Sequence, residues 1–364
     1  MKNLPVEHFG VIVRKTARSA LYHFFKSAAE ILGKRKVLLP SFCCQSVYLS
    51  AMFAGCKPVL IDVDLKNFSL DLKDLSEKID KNTLSVVFPH MFGINGFSSI
   101  ERIKALQHQF PETIWLEDAC QTYGPRKDKT VSFGVTLDFG LFSCDPVKPI
   151  QGRMGLLVQN KKSDRFDAIL QSIKTHPGLD IEFSEIEELK RLESAYFTSI
   201  VSMGRLFAPK WKPNKEFLEV IEKLYVDNAP PLEKFCFEST ENMVNSYNVN
   251  RKDINSNYEH FFKKLNPFVS GQIVCFQISR QDMIWRYPII VFDESKSAKL
   301  SNLLRDNGLN CSNHYYPISG LFELNNQSCP NSEYLTNRII NIWFNNSMEA
   351  EKCVNIFKEF LSEY

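Results

Sequence analysis

The sequence has no long apolar run, little glycine or proline, and almost no net charge. Its most apolar stretch, from about residue 37 to 63, is interrupted by Pro40, Gln45, Lys57 and Asp62, so it cannot span a bilayer. Glycine and proline number 15 and 17 among 364 residues, which excludes collagen-like and low-complexity chains. Because 44 Lys and Arg nearly balance 42 Asp and Glu, charge gives no reason to expect a nucleic-acid or membrane partner.

The ten cysteines show no spacing typical of a metal site. No Cys-x-x-Cys pair occurs, and the adjacent Cys43 and Cys44 have no histidine nearby to complete a zinc site, so we expect no metal. The N-terminal residues contain no apolar run of signal-peptide length. Reduced thiols are therefore the expectation for a chain of this length. These features favour a soluble cytoplasmic protein.

Segments with helical periodicity alternate with short apolar runs from about residue 16 to 160. A helix is predicted over 17–32 with Gly33 as its stop. Further helices are predicted at 72–79 and 100–107, and strands at 37–39, 59–61, 86–88, 114–116 and 139–142. This alternation predicts an α/β fold with a mostly parallel sheet covered on both faces. Ligands of such sheets lie beyond the carboxyl ends of the strands, so polar residues just after the strands are the functional candidates.

The rest of the chain divides into a charged helical stretch and a second compact unit. The stretch 162–245, with helices predicted at 184–194 and 215–224, is interpreted as a linker or dimer region belonging to a large domain at 1–245. A smaller C-terminal α+β domain is predicted at 246–364. Its predicted helices are 253–265, 295–307 and 350–361, and its predicted strands are 272–278 and 287–292.

Three short motifs carry residues that could act chemically. Residues 115–121 (WLEDACQ) form a strand that ends in the carboxylate of Asp118, and residues 141–148 (LFSCDPVK) lead from another strand to Lys148. Residues 16–21 (TARSAL) begin a helix with a hydroxyl and an arginine. The free N–H groups and the dipole at a helix N-terminus favour an anion there.

Each motif also has a plainer interpretation. An isolated Asp118 after a strand is more often a helix N-cap, and Lys148 could be a solvated loop residue. Arg18 could neutralise an anion at the helix start or pair with Glu7 or Glu30 on the surface. Only the ordered set of motifs favours a functional interpretation.

Together the motifs resemble the DegT/DnrJ/EryC/StrS sugar aminotransferases, which are pyridoxal-phosphate enzymes of the aspartate-aminotransferase fold (fold type I). The resemblance covers most of residues 16–160 and returns more faintly after 248. Residues 89–93 (PHMFG), 40–41 (PS), 59–64 (VLIDVD) and 314–317 (HYYP) also match in order and spacing. The resemblance implies a large domain with a mostly parallel seven-stranded sheet flanked by helices. It also implies a homodimer with the active site at the subunit interface.

The resemblance gives each matching residue a role. Lys148 would bond covalently to pyridoxal phosphate and move protons, and Asp118 would keep the pyridine nitrogen of the cofactor protonated. The other expected cofactor contacts are Arg18, Ser19 and Ser143 at the phosphate, Gln121 at the phenolic oxygen and Cys44 over the ring. His314 and Tyr315 are candidates for substrate contact, or form a buried structural pair.

The chain departs from the family pattern at several positions. Cys44 stands where an aromatic residue is usual, Ala17-Arg18 replaces Gly-Thr, and Asp145 replaces a common His. The segment 151–155 (QGRMG) lacks the Glu of the family's Gly-Glu-Gly-Gly. The family's Asn-containing segment has no clear match between 162 and 245.

The resemblance implies a transaminase that moves an amino group from an amino acid, with glutamate the expected donor, to a keto-sugar. The keto-sugar is expected to be nucleotide-linked and to serve cell-surface polysaccharide or secondary-metabolite synthesis. Retention of Lys148 counts against the family's dehydratase branch, which carries His there. Two alternatives remain: another pyridoxal-phosphate activity, such as a lyase or a cyclitol or amino-ketone aminotransferase, and a catalytically altered cofactor-binding regulatory protein.

Overall fold

The structure, a computed structural model, describes most of the chain. The described residues are 9–97, 100–122, 133–145, 148–149, 153–176, 178–204, 214–226, 255–265, 271–277, 282–313, 317–322 and 327–363, with only the backbone described at 198–204.

A seven-stranded sheet forms the N-terminal part of the protein. Its strands are β1 (Gly10–Arg14), β2 (Lys36–Pro40), β3 (Lys57–Ile61), β4 (Thr83–Pro89), β5 (Ile114–Asp118), β6 (Phe139–Cys144) and β7 (Met154–Gln159). Their order across the sheet is β1-β7-β6-β5-β4-β2-β3, and β7 runs antiparallel to the other six strands. The predicted mostly parallel sheet is therefore confirmed, including its seven strands.

Helices pack on both faces of this sheet. They are α1 (Ala17–Leu32), α2 (Gln45–Phe53), α3 (Leu72–Lys78), α4 (Ile100–Gln109), α5 (Asp164–Thr175), α6 (Phe183–Gly204) and α7 (Lys215–Val226). Helix α1 begins at Thr16, whose hydroxyl accepts a hydrogen bond from the N–H of Ser19 at 3.2 Å. It ends at Gly33 in the left-handed conformation (φ 65°), which confirms the predicted stop.

The positions of two of these seven strands, β1 and β7, were not predicted from the sequence. Strand β1 pairs with β7 along its whole length, and β7 pairs with β6. The apolar runs at 11–13 and 154–158 could have identified them. The pairing of β1 with β7 brings together segments far apart in the sequence, and periodicity carries no record of such a contact. Strands β6 and β7 follow one another along the chain.

The C-terminal unit is a four-stranded antiparallel sheet with helices. Its strands are β8 (Ile273–Cys275), β9 (Tyr287–Val291), β10 (Asn310–Ser312) and β11 (Ile339–Trp343), in the order β10-β11-β9-β8. Its helices are α8 (residues 255–265), α9 (Glu294–Asp306), α10 (Ile318–Leu321), α11 (Pro330–Leu335) and α12 (Ser347–Glu363). This is the predicted smaller α+β unit. The predicted boundary at 245 lies outside the described residues and stays a prediction.

The lead-in to β9 is bonded to the turn that follows β4. The N–H of Met283 donates to the carbonyl of Gly93, and the N–H of Trp285 donates to the carbonyl of Phe92, both at 2.7 Å. Gly93 has φ 83°, and a Cβ at this position would lie 1.9 Å from the carbonyl oxygen of Met283. Only glycine permits this close approach. The bonds place residues of the smaller unit beside the carboxyl ends of the large sheet.

Across all described residues, no helix combines the length and apolar character that crossing a membrane requires.

Candidate active site

A cavity of about 260 Å³ lies at the carboxyl ends of β2, β4, β5 and β6. Six of the predicted cofactor contacts line it: Arg18, Cys44, Asp118, Gln121, Ser143 and Lys148. Residues from four separate strand ends and one helix start thus meet at one place. This is where a mostly parallel sheet binds its ligands.

Ser19, the remaining predicted cofactor contact, is not among the residues that line this cavity. Ser19 is fully buried, and its backbone N–H is bonded to the hydroxyl of Thr16. His314 and Tyr315 lie outside the described residues.

One end of the cavity, formed by Ala17, Arg18 and Ser143 and here called the α1 end, is suited to an anion. Thr16 takes up the N–H groups of Ser19 and Ala20, so Ala17 and Arg18 hold the first-turn N–H groups still available at the N-terminus of α1. The hydroxyl of Ser143 has no partner among the described residues. These donors and the helix dipole together favour a phosphate.

Gly155 allows the α1 end to form. It lies on β7 opposite Ser143, and a Cβ there would come within 2.2 Å of the backbone nitrogen of Ala17 and 2.4 Å of the carbonyl carbon of Thr16. Any side chain would push the start of α1 away from the strand pair. The altered segment 151–155 therefore keeps the glycine that the packing requires.

Arg18 forms a buried ion pair with Glu193 of α6. Its guanidinium contacts one carboxylate oxygen of Glu193, and the hydroxyl of Tyr225 donates to the other at 2.7 Å. Burial by itself lowers the pKa of Arg18, but the carboxylate outweighs burial and raises the pKa above its ordinary value. Glu193 is thus the acidic partner of Arg18 in the described structure.

Of the two acids that we considered from the sequence, Glu30 is exposed near the far end of α1 and does not pair with Arg18. Glu7 lies outside the described residues, so that alternative stays a prediction.

Asp118 and Lys148 line the same cavity. One carboxylate oxygen of Asp118 accepts the backbone N–H of Cys120 at 3.0 Å, which orients the side chain. Within the described part of the chain, neither Asp118 nor Lys148 forms an ion pair, and the amine of Lys148 has no hydrogen-bond partner. A carboxylate and an amine are therefore both left available to a ligand.

The amine of Lys148 lies over an aromatic ring. Its nitrogen is 4.7 Å from the centre of the Trp285 ring, within the range of a cation–π contact. Trp285 belongs to the lead-in that is bonded to Phe92, so the smaller unit supplies a wall beside the candidate lysine.

A hydrogen bond from the backbone of Phe92 orients the side chain of Gln121. Its carbonyl oxygen accepts the N–H of Phe92 at 2.7 Å. Phe92 itself has φ 59°, a conformation that is uncommon for residues other than glycine. With the oxygen engaged, the amide group of Gln121 remains as the donor that can act on a ligand.

Three thiols surround the same cavity and differ in exposure. Cys44 is exposed, whereas burial raises the pKa of Cys43 and of Cys120 well above its ordinary value. For Cys120 the nearby charge of Asp118 raises the pKa further and that of Lys148 lowers it. Because a thiol is nucleophilic as its thiolate, Cys43 and Cys120 are unsuited to a nucleophilic role.

Helix α6 supplies a charged residue, Lys190, to the wall of the cavity. The amine of Lys190 lies 2.6 Å from Asp145 and 3.2 Å from Glu187. Asp145, at the position where the family often has His, is thus paired with a lysine. Sequence reasoning identified neither Lys190 nor Glu193, because it treated this stretch as a linker.

His90 lines the cavity but is held by structural bonds. Its Nε2 lies 2.9 Å from the carboxylate of Glu117, and its Nδ1 accepts the N–H of Gly96 at 3.0 Å. Glu117 also accepts backbone N–H groups from the segment 134–137. Both ring nitrogens are occupied, so His90 serves the fold.

The residues present fit pyridoxal phosphate. The α1 end offers unpaired donors for a phosphate, Asp118 offers a carboxylate for a pyridine nitrogen, and Lys148 offers an amine for an aldehyde. Gln121 offers an amide donor for a phenolic oxygen. Each functional group of this cofactor thus has a matching group in a single cavity.

Comparison with known proteins gives the same family. The model of the DegT/DnrJ/EryC1/StrS aminotransferase family matches residues 11–177 and 242–360. A search of curated proteins found no match.

Solved structures share the fold at low sequence identity. Helicobacter pylori PseC, an aminotransferase involved in the biosynthesis of pseudoaminic acid, is 16% identical, with a TM-score of 0.69 over 99% of this chain and 88% of that one. The sugar aminotransferase CalS13 from Micromonospora echinospora is 16% identical, with a TM-score of 0.71 over 96% and 87%. The E. coli GDP-4-keto-6-deoxy-D-mannose-3-dehydratase with bound hydrated pyridoxal phosphate is 15% identical, with a TM-score of 0.68 over 97% and 88%.

The family model spans most of the chain, so membership rests on sequence as well as on fold. The chain therefore belongs to the DegT/DnrJ/EryC1/StrS aminotransferase family, whose enzymes depend on pyridoxal phosphate.

Proposed function

We propose that this protein is an aminotransferase that moves an amino group from an amino acid, with glutamate as the expected donor, to a nucleotide-linked keto-sugar. The observation that supports this most directly is that the amine of Lys148 and the carboxylate of Asp118, neither of which forms an ion pair with a described residue, line one cavity with a helix N-terminus that can hold a phosphate.

Pyridoxal phosphate, when bound, withdraws electrons from the α-carbon of an amino-acid substrate. Asp118 would hold a proton on the pyridine nitrogen, because a carboxylate favours the charged form of a neighbouring base. The bond from the N–H of Cys120 keeps that carboxylate in place.

Lys148 would hold the aldehyde carbon of the cofactor through its amine. When the amino donor displaces it, the free amine would take a proton from the substrate α-carbon and deliver it to the former aldehyde carbon, C4′, of the cofactor. Lys148 has no hydrogen-bond or ion-pair partner in the described chain that would have to be broken first. This freedom suits a group that serves first as a bonding partner and then as a base.

Three further predictions belong to this proposal. A homodimer with the cavity at its interface follows from the resemblance, as does a role in the synthesis of modified sugars. Location in the cytoplasm follows from the sequence, and the nine cysteines of the described residues are all free thiols in the structure.

The test is a two-step absorbance experiment on the purified protein. Adding pyridoxal phosphate should produce the visible band of a lysine-bound cofactor, and adding glutamate should remove that band while 2-oxoglutarate accumulates in equal amount. Lys148→Ala should give no such band. Asp118→Asn should form the band but lose at least about 100-fold in the glutamate-dependent rate, because the pyridine nitrogen would no longer stay protonated.

Lys162→Ala, which removes an exposed lysine, is the matched control and should behave like the wild type. A visible band that persists in Lys148→Ala would overturn the assignment of the lysine. A wild-type band that glutamate and other amino acids leave unchanged would overturn the aminotransferase and favour a regulatory cofactor binder.

A further inference from the structure

Arg286 lies between two tryptophan rings, one of which, Trp285, is also in contact with Lys148 of the cavity. Its guanidinium carbon is 4.1 Å from the centre of the Trp285 ring and 4.2 Å from that of Trp343. All three side chains are partly exposed. The plane of a guanidinium stacks well on indole rings, and such stacking leaves its N–H edges free.

The antiparallel pairing of β9 with β11 produces this arrangement. Ile342 lies opposite Tyr287, which puts Trp343 across from Arg286, the residue before Tyr287. On the other side, the backbone of Trp285 is bonded to Phe92. The guanidinium is therefore held between two rings that are themselves anchored to different parts of the backbone.

No described residue accepts a hydrogen bond from the donors of Arg286. Within the described part of the chain, Arg286 makes no hydrogen bond and no ion pair. Arg18, Arg165 and Arg338 also lie over aromatic rings, and each of them has a carboxylate partner. Arg153 lies over the Phe183 ring and, like Arg286, has no carboxylate partner among the described residues, but it is stacked on one ring and not between two. The guanidinium of Arg286 is thus held in position, and no described carboxylate occupies its N–H donors.

The same indole ring connects Arg286 to the candidate lysine. The distances of 4.7 Å from the Lys148 nitrogen and 4.1 Å from the Arg286 carbon are measured to one ring centre, so these two atoms are at most about 9 Å apart. An anionic group of a substrate that reacts at Lys148 would have to lie within that distance to reach the guanidinium.

We propose that Arg286, held between Trp285 and Trp343, is the binding site for an anionic oxygen group of the substrate. The identity of the substrate in this proposal rests on the proposed function. A carboxylate and a phosphate share the geometry that the guanidinium fork recognises. The group is therefore a carboxylate of the amino donor or the diphosphate of the nucleotide-linked acceptor.

Two anions that cannot react distinguish these sources. Glutarate carries the carboxylates of the donor without its amine, and inorganic pyrophosphate carries the diphosphate without sugar or base. Calorimetric titration of the cofactor-loaded protein with each should show binding of at least one. Arg286→Gln should weaken that binding about 10-fold or more, and Arg286→Lys should weaken it less, because it keeps the charge and loses the fork.

Arg338→Gln is the matched control, because Arg338 is also stacked on a ring but already pairs with Glu294 at 2.8 Å. It should leave both affinities unchanged. Loss of glutarate binding assigns the site to the donor, and loss of pyrophosphate binding assigns it to the acceptor. Equal affinities in wild type and Arg286→Gln, or no binding of either anion by the wild type, overturn the proposal.

Neither titration requires turnover. If glutamate fails to convert the bound cofactor while Arg286→Gln still loses anion binding, the proposed transamination is wrong and the anion site stands. If glutamate converts the bound cofactor normally in the wild type and in Arg286→Gln, and both bind the anions equally well, the proposed transamination stands and the anion site is wrong.

Discussion

The side-chain carbonyl of Gln121 accepts a hydrogen bond from the backbone N–H of Phe92 at 2.7 Å. The carbonyl of the same Phe92 accepts the N–H of Trp285, also at 2.7 Å. A residue at the end of β5 is in this way connected, through one turn, to the tryptophan that lies over Lys148. The orientation of Gln121 and the position of the smaller unit depend on the backbone N–H and carbonyl of the same residue, Phe92.

This bond leaves the amide of Gln121 to donate to the phenolic oxygen of the cofactor, so Gln121→Glu should change the titration of the lysine-bound cofactor. Glutamate can still accept from Phe92, but it would place a negative charge where an N–H donor stood. A nearby negative charge stabilises the protonated form, so the pH midpoint of the visible band should rise by about one unit or more. Absorbance spectra recorded across the pH range measure this midpoint. Gln171→Glu, at an exposed position of α5, should leave the midpoint in place, and an unmoved midpoint in Gln121→Glu would contradict the assigned contact.

The ion pair between Arg18 and Glu193 leads to a second prediction. Glu193→Gln removes the carboxylate that competes with phosphate for Arg18, so pyridoxal phosphate should bind about 10-fold more tightly. The same change leaves a buried guanidinium without its counter-charge, so the free energy of unfolding should fall by about 3 kcal/mol. Cofactor titration and thermal denaturation measure the two effects.

Glu188→Gln serves as the control for this variant, because Glu188 is exposed on the same helix. Glu188→Gln should change neither the affinity for pyridoxal phosphate nor the free energy of unfolding. Weaker or unchanged cofactor binding in Glu193→Gln would mean that Arg18 does not reach the phosphate.

The parts of the fold that sequence reasoning predicted are those encoded locally. Buried parallel strands such as β4 and β5 are nearly continuous apolar runs, so they stand out between helical segments. Strand β1 is only partly buried, and its partner β7 lies about 140 residues away. No local pattern could specify that pairing.

The same distinction holds for the site. Asp118 is the last residue of β5 and Lys148 comes shortly after the end of β6, so their meeting could be expected from the strand ends alone. Glu193 contacts Arg18 across 175 residues, and Trp285 reaches Lys148 only because its backbone is bonded to the turn at Phe92. These contacts depend on how helices and sheets pack, which single-sequence periodicity does not record.

Gly155→Ala should disrupt the α1 end of the cavity. The added methyl group would meet the backbone of Thr16 and Ala17, and backbone cannot move aside as a side chain can. We expect weaker cofactor binding and a loss of about 1–3 kcal/mol in the free energy of unfolding, as for other overpacked positions. Gly320→Ala is the control, since its nearest contact would be an ordinary 3.5 Å. Normal cofactor affinity in Gly155→Ala would show that the start of α1 does not bind the phosphate.

The three thiols around the cavity should react at different rates. Burial raises the pKa of Cys43 and of Cys120 well above the ordinary value, so neither forms an appreciable thiolate near neutral pH, whereas Cys44 is exposed. Iodoacetamide at about pH 8 should therefore label Cys44 first, as mass spectrometry of the digested protein would show. Because Cys44 lines the cavity, bound pyridoxal phosphate should slow its labelling. Cys56, which is outside this cavity and has its pKa raised by burial to about 11, should react at a rate that the cofactor does not change. Labelling of Cys120 as fast as Cys44 would contradict the raised pKa of the Cys120 thiol, and unprotected Cys44 would place the cofactor elsewhere.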